Sequence, residues 1–325
     1  MKIDGHVHFV GDGSNGSGCW LRRNFADRLF EPIVKSQAGI LKSSQKSGVD
    51  LAYEEKLIQL IDESSLDAVL LLAMDYPYDE VGNCLQTRAK FYVPNDHVLS
   101  LAEKYHQVIP ACSIHPSRKD GIEELERCVA SGAKVLKLLP NCHNLNCSDS
   151  QYRSFWEKLS ELNLPLLAHT GGEFSVPVLN ADYADPRVLR LPLECGVNVI
   201  AAHTGTGSGP FDPDYLPVLI EMMKSYPNLY ADTSALNVPT RSYGLRHCLK
   251  NELLSSRIVH GSDYPVPTSS TWAWARGLID FDQWTSLKKI KNPIELDYQT
   301  KVAMKFPTNH FTRINSLLRV VEEVS

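Results

Sequence analysis

Six side chains suited to a metal centre lie along the sequence, each at or close to the end of a short apolar run: His6, His8, Lys137, His169, His203 and Asp263. The first two fall in Ile3-Asp-Gly-His-Val-His8, where strand alternation places both imidazoles on one face. Along a strand they stand about 7 Å apart, close enough to grip one divalent cation. A His-x-His pair alone also describes two core histidines hydrogen-bonded to backbone. That plainer reading has to hold again at His169 and at His203, each in an Ala-His-Thr-Gly segment. It also leaves Asp263, in Gly-Ser-Asp-Tyr-Pro265, without a task. Lys137 stands in Lys134-Val-Leu-Lys-Leu-Leu-Pro140.

Groups so widely spaced need a frame that brings strand ends together. Eight runs rich in Val, Ile, Leu and Ala recur at residues 2–8, 67–73, 108–114, 133–138, 164–169, 197–203, 228–232 and 257–261. They lack clean polar alternation, as strands covered on both faces do. Helical segments are expected between them, at 53–64, 121–131, 150–162, 215–225 and 243–254, and afterwards at 293–306 and 308–323. Ser148, Asp185 and Asp212 read as helix starts, and Gly132 and Gly196 as helix exits. Strand and helix alternating eight times predict a (β/α)8 TIM barrel, built as a single domain over 1–325. Such barrels keep their chemistry at the strand ends that carry the six residues. Two long connections, at about 9–50 and 264–292, leave that same face and are expected to wall the mouth.

The bulk numbers fit one globular enzyme: 325 residues, 43% hydrophobic and 22% charged. A net charge of −5 gives no field for nucleic acid or an anionic membrane. No leader and no membrane-length apolar span is legible. The reading is a cytoplasmic protein with a small-molecule substrate, no nucleic-acid partner and no membrane association; a homo-oligomer is compatible with it. Eight cysteines without a Cys-x-x-Cys pair predict reduced, mostly buried thiols, with Cys142-His143…Cys147 as ordinary loop residues rather than a zinc knuckle. Gly11-Asp-Gly-Ser-Asn-Gly16 formally matches a dinucleotide fingerprint, but more Ser and Gly follow where a helix has to open, so it reads as a flexible loop.

Taken together and in order, Ile-Asp-Gly-His-Val-His, Lys-Leu-Leu-Pro, two Ala-His-Thr-Gly segments and Gly-Ser-Asp-Tyr-Pro resemble the amidohydrolase superfamily of metal-dependent barrels. The nearest likeness is to the branch that mixes hydrolases with non-oxidative decarboxylases, and it spans most of the chain. The resemblance implies that His6, His8, His169 and Asp263 hold one metal. It makes His203 either the ligand of a second metal or a residue that orients water and substrate. Lys137 decides between these: carboxylated by CO₂ it bridges two metals, unmodified it sits beside one. Zinc suits the histidine-rich set. Bound water then falls to about pKa 7, and the metal polarises a carbonyl. Asp263 takes the water proton and passes it to the leaving group. This describes hydrolysis of an amide, ester, lactone or related bond. In the alternative, a decarboxylase or lyase, Asp263 protonates carbon. A barrel that binds metal without turnover is a third reading.

Around the centre, His115 in Ser-Ile-His-Pro116 ends the third strand and is a candidate substrate contact. So are Arg22 for an anion and Trp272 in an aromatic wall with Trp20, Tyr76, Tyr78 and Trp274. Arg23, Arg241 and Arg276 are further anion-binding candidates, each equally readable as a solvated charge. Asp232, at the end of the seventh strand, is placed to orient a ligand histidine. His260 is out of phase with the mouth and reads as packing.

Overall fold

The eight apolar runs are the eight strands of one parallel sheet. The computed structural model describes residues 1–22, 39–40 and 43–319. In it the strands are Ile3–His8, Ala68–Leu72, Val108–Cys112, Val135–Leu138, Leu166–His169, Val199–Ala202, Leu229–Asp232 and Ile258–Val259, each paired to the next in sequence. Every residue of the second to sixth strands is buried, which is why their sequences show no alternation. Helices cover the outer side. Leu57, Leu60 and Ile61 of Val49–Asp62 join one continuous core with Leu125 and Cys128 of Gly121–Ala130 and Trp156 and Leu159 of Arg153–Glu161. Their spacing of three or four residues is the helical stripe that faces a sheet.

The ring closes between the first strand and the segment around the eighth. Gly5 N–H donates to His260 O at 2.9 Å, Asp263 N–H to His6 O at 2.9 Å, and His8 N–H to Tyr264 O at 2.8 Å. The Asp4 carboxylate adds to this seam, accepting from His6 N–H at 3.1 Å and Ser262 N–H at 2.8 Å. The approach leaves no room at Gly261, where an added Cβ would lie 2.9 Å from His6 Cβ. The architecture is therefore the (β/α)8 barrel that the sequence pattern predicts.

Several boundaries differ from expectation. The helix expected at 243–254 is two, Gly244–Lys250 and Glu252–Arg257, separated at Asn251, whose extended backbone and side chain cap the second through Leu254 N–H at 2.9 Å. A helix at Asn95–Lys104 was not foreseen between the second and third strands. The connection 264–292 is not one long loop but carries helices Thr271–Ala275 and Phe281–Leu287. The second opens with a capping box, Asp280 accepting from Gln283 N–H and Gln283 from Asp280 N–H. Trp274 and Trp284 stack there with ring centroids 4.6 Å apart. Asp185 caps the turn Pro186–Leu189 as expected, but Asp149 rather than Ser148 caps the turn Ser150–Tyr152. Asp212 starts no helix; it accepts from Ser208 and Gly209 N–H within its own loop. The helix expected at 308–323 is Thr308–Thr312 and Ile314–Leu318, with residues 320–323 outside the described residues. All eight cysteines are free and all but Cys84 and Cys195 are buried. Among the described residues no helix is long and apolar enough to cross a membrane.

The glycine-rich stretch is not a free loop. It wraps the Asp50 carboxylate, which accepts from Asp12 N–H at 2.7 Å, Gly13 N–H at 3.1 Å, Asn15 N–H at 3.2 Å and Ser17 Oγ at 2.7 Å. Ser14 Oγ and Asn15 Oδ1 in turn accept from Val49 and Leu51 N–H, capping a helix whose own cap position is Gly48. An anion-binding concavity has formed, and the chain fills it with its own carboxylate. Burial opposes ionisation of Asp50, but Ser17 and the three amides outweigh it and hold the carboxyl below its usual range. We expect Asp50→Asn to cost about 1.5–3 kcal/mol at neutral pH, read by urea denaturation. A folded-state pKa below the unfolded value of about 3.9 stabilises above that value, and the contribution is lost as pH falls through the folded one. The gap between wild type and variant therefore closes in acid; a gap that persists there rules out this carboxylate as its source.

Candidate metal centre

The barrel mouth gathers all six residues. His6 and His8 come from the first strand, Lys137 from the fourth and His169 from the fifth; His203 and Asp263 lie just beyond the sixth and eighth. Ligand atoms of His6, His8 and Asp263 lie within 4.8 Å of one another. Asp263 Oδ1 is 3.3 Å from His6 Nε2 and 3.2 Å from His8 Nε2. The His203 ring centroid is 5.1 Å from that of His6 and 4.9 Å from that of His169. Lys137 Nζ stands 3.3 Å from His6 Nε2.

Local backbone explains how two of these side chains reach inward. His203 and Asp263 adopt left-handed φ values of 59° and 68°, which non-glycine residues hold only when surroundings fix them. His203 N–H is fixed by Asp232 Oδ1 at 2.7 Å, and Asp263 by its bond to His6 O and by Val266 N–H donating to its carbonyl at 2.8 Å. The repeated Ala-His-Thr-Gly segment has a visible purpose. Thr170 Oγ1 donates to Ala202 O at 2.7 Å, and Thr204 Oγ1 to Asp232 O at 2.6 Å. Each threonine ties its strand end to the next, keeping the fifth, sixth and seventh strands in step.

Proton positions follow from charge. Burial alone would raise the Asp232 carboxyl, but His6, His203 and Ser234 outweigh it and hold it well below the usual carboxylate range. His6 Nδ1–H therefore donates to Asp232 Oδ2, at 2.8 Å, and leaves the Nε2 lone pair for the centre. Burial first, then the Lys137 charge, pulls the His6 imidazole below its usual range, with Asp263 and Asp232 opposing. His203 Nδ1 lies 2.8 Å from Ser234 Oγ and 3.1 Å from Ser234 O, and it is the ring nitrogen nearer to Asp263, 3.9 Å from Oδ2. Burial also opposes the charge on Asp263, yet His6, His8 and Lys137 overcome it, and its carboxyl too falls well below the usual range. Burial brings the Lys137 ammonium down to about 8, with Asp263, Asp232 and Glu173 opposing.

The donor set fits a divalent cation. It offers imidazoles and a carboxylate, and the buried His169 Nε2 has no hydrogen-bond partner in the protein. The sequence reading missed Glu173, whose Oε2 lies 3.6 Å from His169 Nδ1. A single acidic residue after Thr-Gly-Gly carries no local signal. Asp232 faces His6, a candidate ligand, and His260 packs against Tyr298, His310 and Phe311.

The candidate substrate contacts lie outside this cluster. His115 is buried with both ring nitrogens engaged: Nδ1 accepts from Ser117 N–H at 3.1 Å and Nε2 donates to His143 O at 3.0 Å. Burial pushes it down to about 3. Arg22 donates to Thr87 O at 3.3 Å, beside a two-stranded antiparallel ladder of Trp20–Leu21 with Phe91–Tyr92. Across that ladder Tyr76 stacks on Tyr92 with centroids 4.2 Å apart. Trp272 is half-buried on the helix Thr271–Ala275, and Arg276 Nε donates to Ser242 Oγ at 3.1 Å. Arg23 lies outside the described residues. Cys142 and His143 are buried in a short helix, Pro140–His143, with Cys147 buried just after it.

Comparison with known proteins bears on the fold and the family. An uncharacterised TIM-barrel protein from Bordetella bronchiseptica superposes with a TM-score of 0.62 at 15% identity, over 98% of this chain and 99% of that one. A candidate 2-pyrone-4,6-dicarboxylic acid hydrolase from Pseudomonas putida gives 0.58 at 14% identity, over 98% of each chain. A dihydroxybenzoic acid decarboxylase from a Polaromonas species, with bound manganese and the inhibitor 2-nitroresorcinol, gives 0.50 at 15%, over 94% and 96%. At such identities the likeness speaks to the fold. No protein of curated function matches the sequence. The amidohydrolase family pattern, by contrast, matches residues 3–288, from the first strand to beyond the eighth, and this chain belongs to that family.

Proposed function

We propose that the protein is a metal-dependent hydrolase that cleaves an amide, ester, lactone or related carbonyl bond of a small metabolite. The observation that carries this reading is the convergence of His6, His8 and an ionised Asp263 within 4.8 Å at the barrel mouth. Together with His169 they hold one divalent ion, zinc first because imidazole-rich sets suit it, manganese next. Such an ion, when bound, acidifies a water to about pKa 7 and polarises the scissile carbonyl. Asp263 accepts the proton of the attacking water and delivers it to the leaving group. His203 orients water and substrate beside Asp263. Lys137 remains an amine, its charge set against Asp263 and Asp232. A second metal equivalent that appears with bicarbonate would mean instead a carboxylated Lys137 shared by two ions, with His203 a ligand of the second. Arg22 and Trp272 are the substrate contacts of this reading; His115, fully buried with both ring nitrogens engaged, is a packing residue instead.

The second reading is a non-oxidative decarboxylase of an aromatic or unsaturated acid, an activity named for the Polaromonas protein of similar fold. It needs Asp263 to deliver a proton to carbon, where the hydrolase needs it to deliver one to the leaving group. Turnover of lactones, N-acyl compounds and aromatic acids in ¹⁸O-labelled water separates the two. Hydrolysis places one solvent oxygen in the product. Release of CO₂ without label overturns the hydrolase.

A further inference from the structure

The geometry points to Arg241 as a positioning residue that sets the separation of the two histidines on the fifth and sixth strands. The inference rests on the metal-centre reading above. Arg241 lies between the seventh strand and the helix Gly244–Lys250, and it is buried. Its guanidinium forks across two neighbouring turns. One amino group donates to Thr206 O at 2.6 Å and to Thr206 Oγ1 at 3.2 Å, and the other donates to Gly172 O.

Those two carbonyls hold equivalent places in the repeated motif. Gly172 stands three residues after His169, and Thr206 three residues after His203. The turns already touch: Gly172 N–H donates to Thr206 O at 3.2 Å, and a Cβ on Gly171 would lie 2.2 Å from that oxygen. Thr206 Oγ1 also donates to His203 O at 2.7 Å, so the brace reaches the histidine backbone itself. One planar cation thus fixes two ligand-bearing turns at one spacing, which a flexible ammonium cannot do. The alternative, a clamp for a substrate anion, fits less well. Two of the guanidinium nitrogens are committed to the protein, and Glu173 and Asp263 already supply the negative charge around it.

Brace and bare charge predict opposite signs. Removing a positive charge beside a cation site tightens metal binding; removing a brace loosens it. Metal-stripped full-length wild type, R241M and R241K are titrated with Mn²⁺ by calorimetry, and the EPR spectrum of the bound ion is recorded. We expect both variants to bind Mn²⁺ about 10- to 100-fold more weakly, the range for outer partners of ligand histidines, with an altered EPR pattern and wild-type circular dichroism. Equal or tighter binding by R241M overturns the brace. So does a lysine variant with wild-type affinity and spectrum, because charge alone then suffices. If R241M does not fold, R241K decides on the same criterion. Wild type that binds neither Mn²⁺ nor Zn²⁺ stoichiometrically overturns the metal centre and the brace with it, an outcome distinct from failure of the brace alone.

Discussion

Replacing Asp263 by Asn is expected to lower kcat about 10²–10⁴-fold while the protein stays folded and metal-loaded at saturating metal. The substitution keeps the volume and hydrogen-bonding outline of the side chain. It preserves the left-handed turn as well, since Asn tolerates positive φ better than most residues. What it removes is the ability to take up a proton. His6, His8 and His169 remain to hold the ion. Circular dichroism and metal content near wild type, with turnover collapsed, is the predicted combination. The plainer account, in which Asp263 only shapes the turn before Pro265, predicts near-normal activity, and that result removes Asp263 from the mechanism.

The second large effect concerns the first strand, where two histidines of one motif should behave differently. His6→Ala and His8→Ala both lose the ion, because each takes one imidazole from the small group that converges on Asp263. His6 serves the metal-free fold more deeply, meeting both Asp232 and Asp263 where His8 meets only the second. It is fully buried and donates to the ionised Asp232, whereas the His8 side chain is 18% exposed. Losing a hydrogen bond to a buried charge costs about 1.5–3 kcal/mol. His6→Ala is therefore expected to lose that much stability in chelator-treated protein, and His8→Ala less than about 1 kcal/mol. Elemental analysis and urea denaturation read the two effects separately. Wild type without stoichiometric divalent metal after metal-replete expression ends the metal-centre reading, and equal stability losses end the special role of His6.

Much of this was legible in sequence because strands buried on both faces are unusually easy to see, and because barrel closure turns strand order into spatial order. All six proposed centre residues meet at the mouth for that reason. What escaped is what depends on contacts between distant segments. Asp50 filling the Gly11–Gly18 loop pairs two segments whose relation no local pattern encodes. Glu173 and Arg241 gain meaning only once the turns after the fifth and sixth strands lie side by side. The helices inside 264–292 are a different kind of miss. Asp280-x-x-Gln283 announced one of them, but three tryptophans nearby drew the segment toward a mouth wall.

The seam of the barrel is stitched by the residues of the centre themselves: His6 O accepts from Asp263 N–H, and His8 N–H donates to Tyr264 O. The first and eighth strands therefore meet at the place where the reaction is proposed to occur. During synthesis both histidines precede, by seven further strands, the carboxylate that completes the set. A nascent chain thus carries the proposed ligand imidazoles long before it carries the proposed base. The ion, once bound across the seam, also stabilises the ring against opening by its own binding free energy, about 4 kcal/mol when free metal exceeds Kd a thousandfold. In this barrel, closing the ring and assembling the proposed centre are one event.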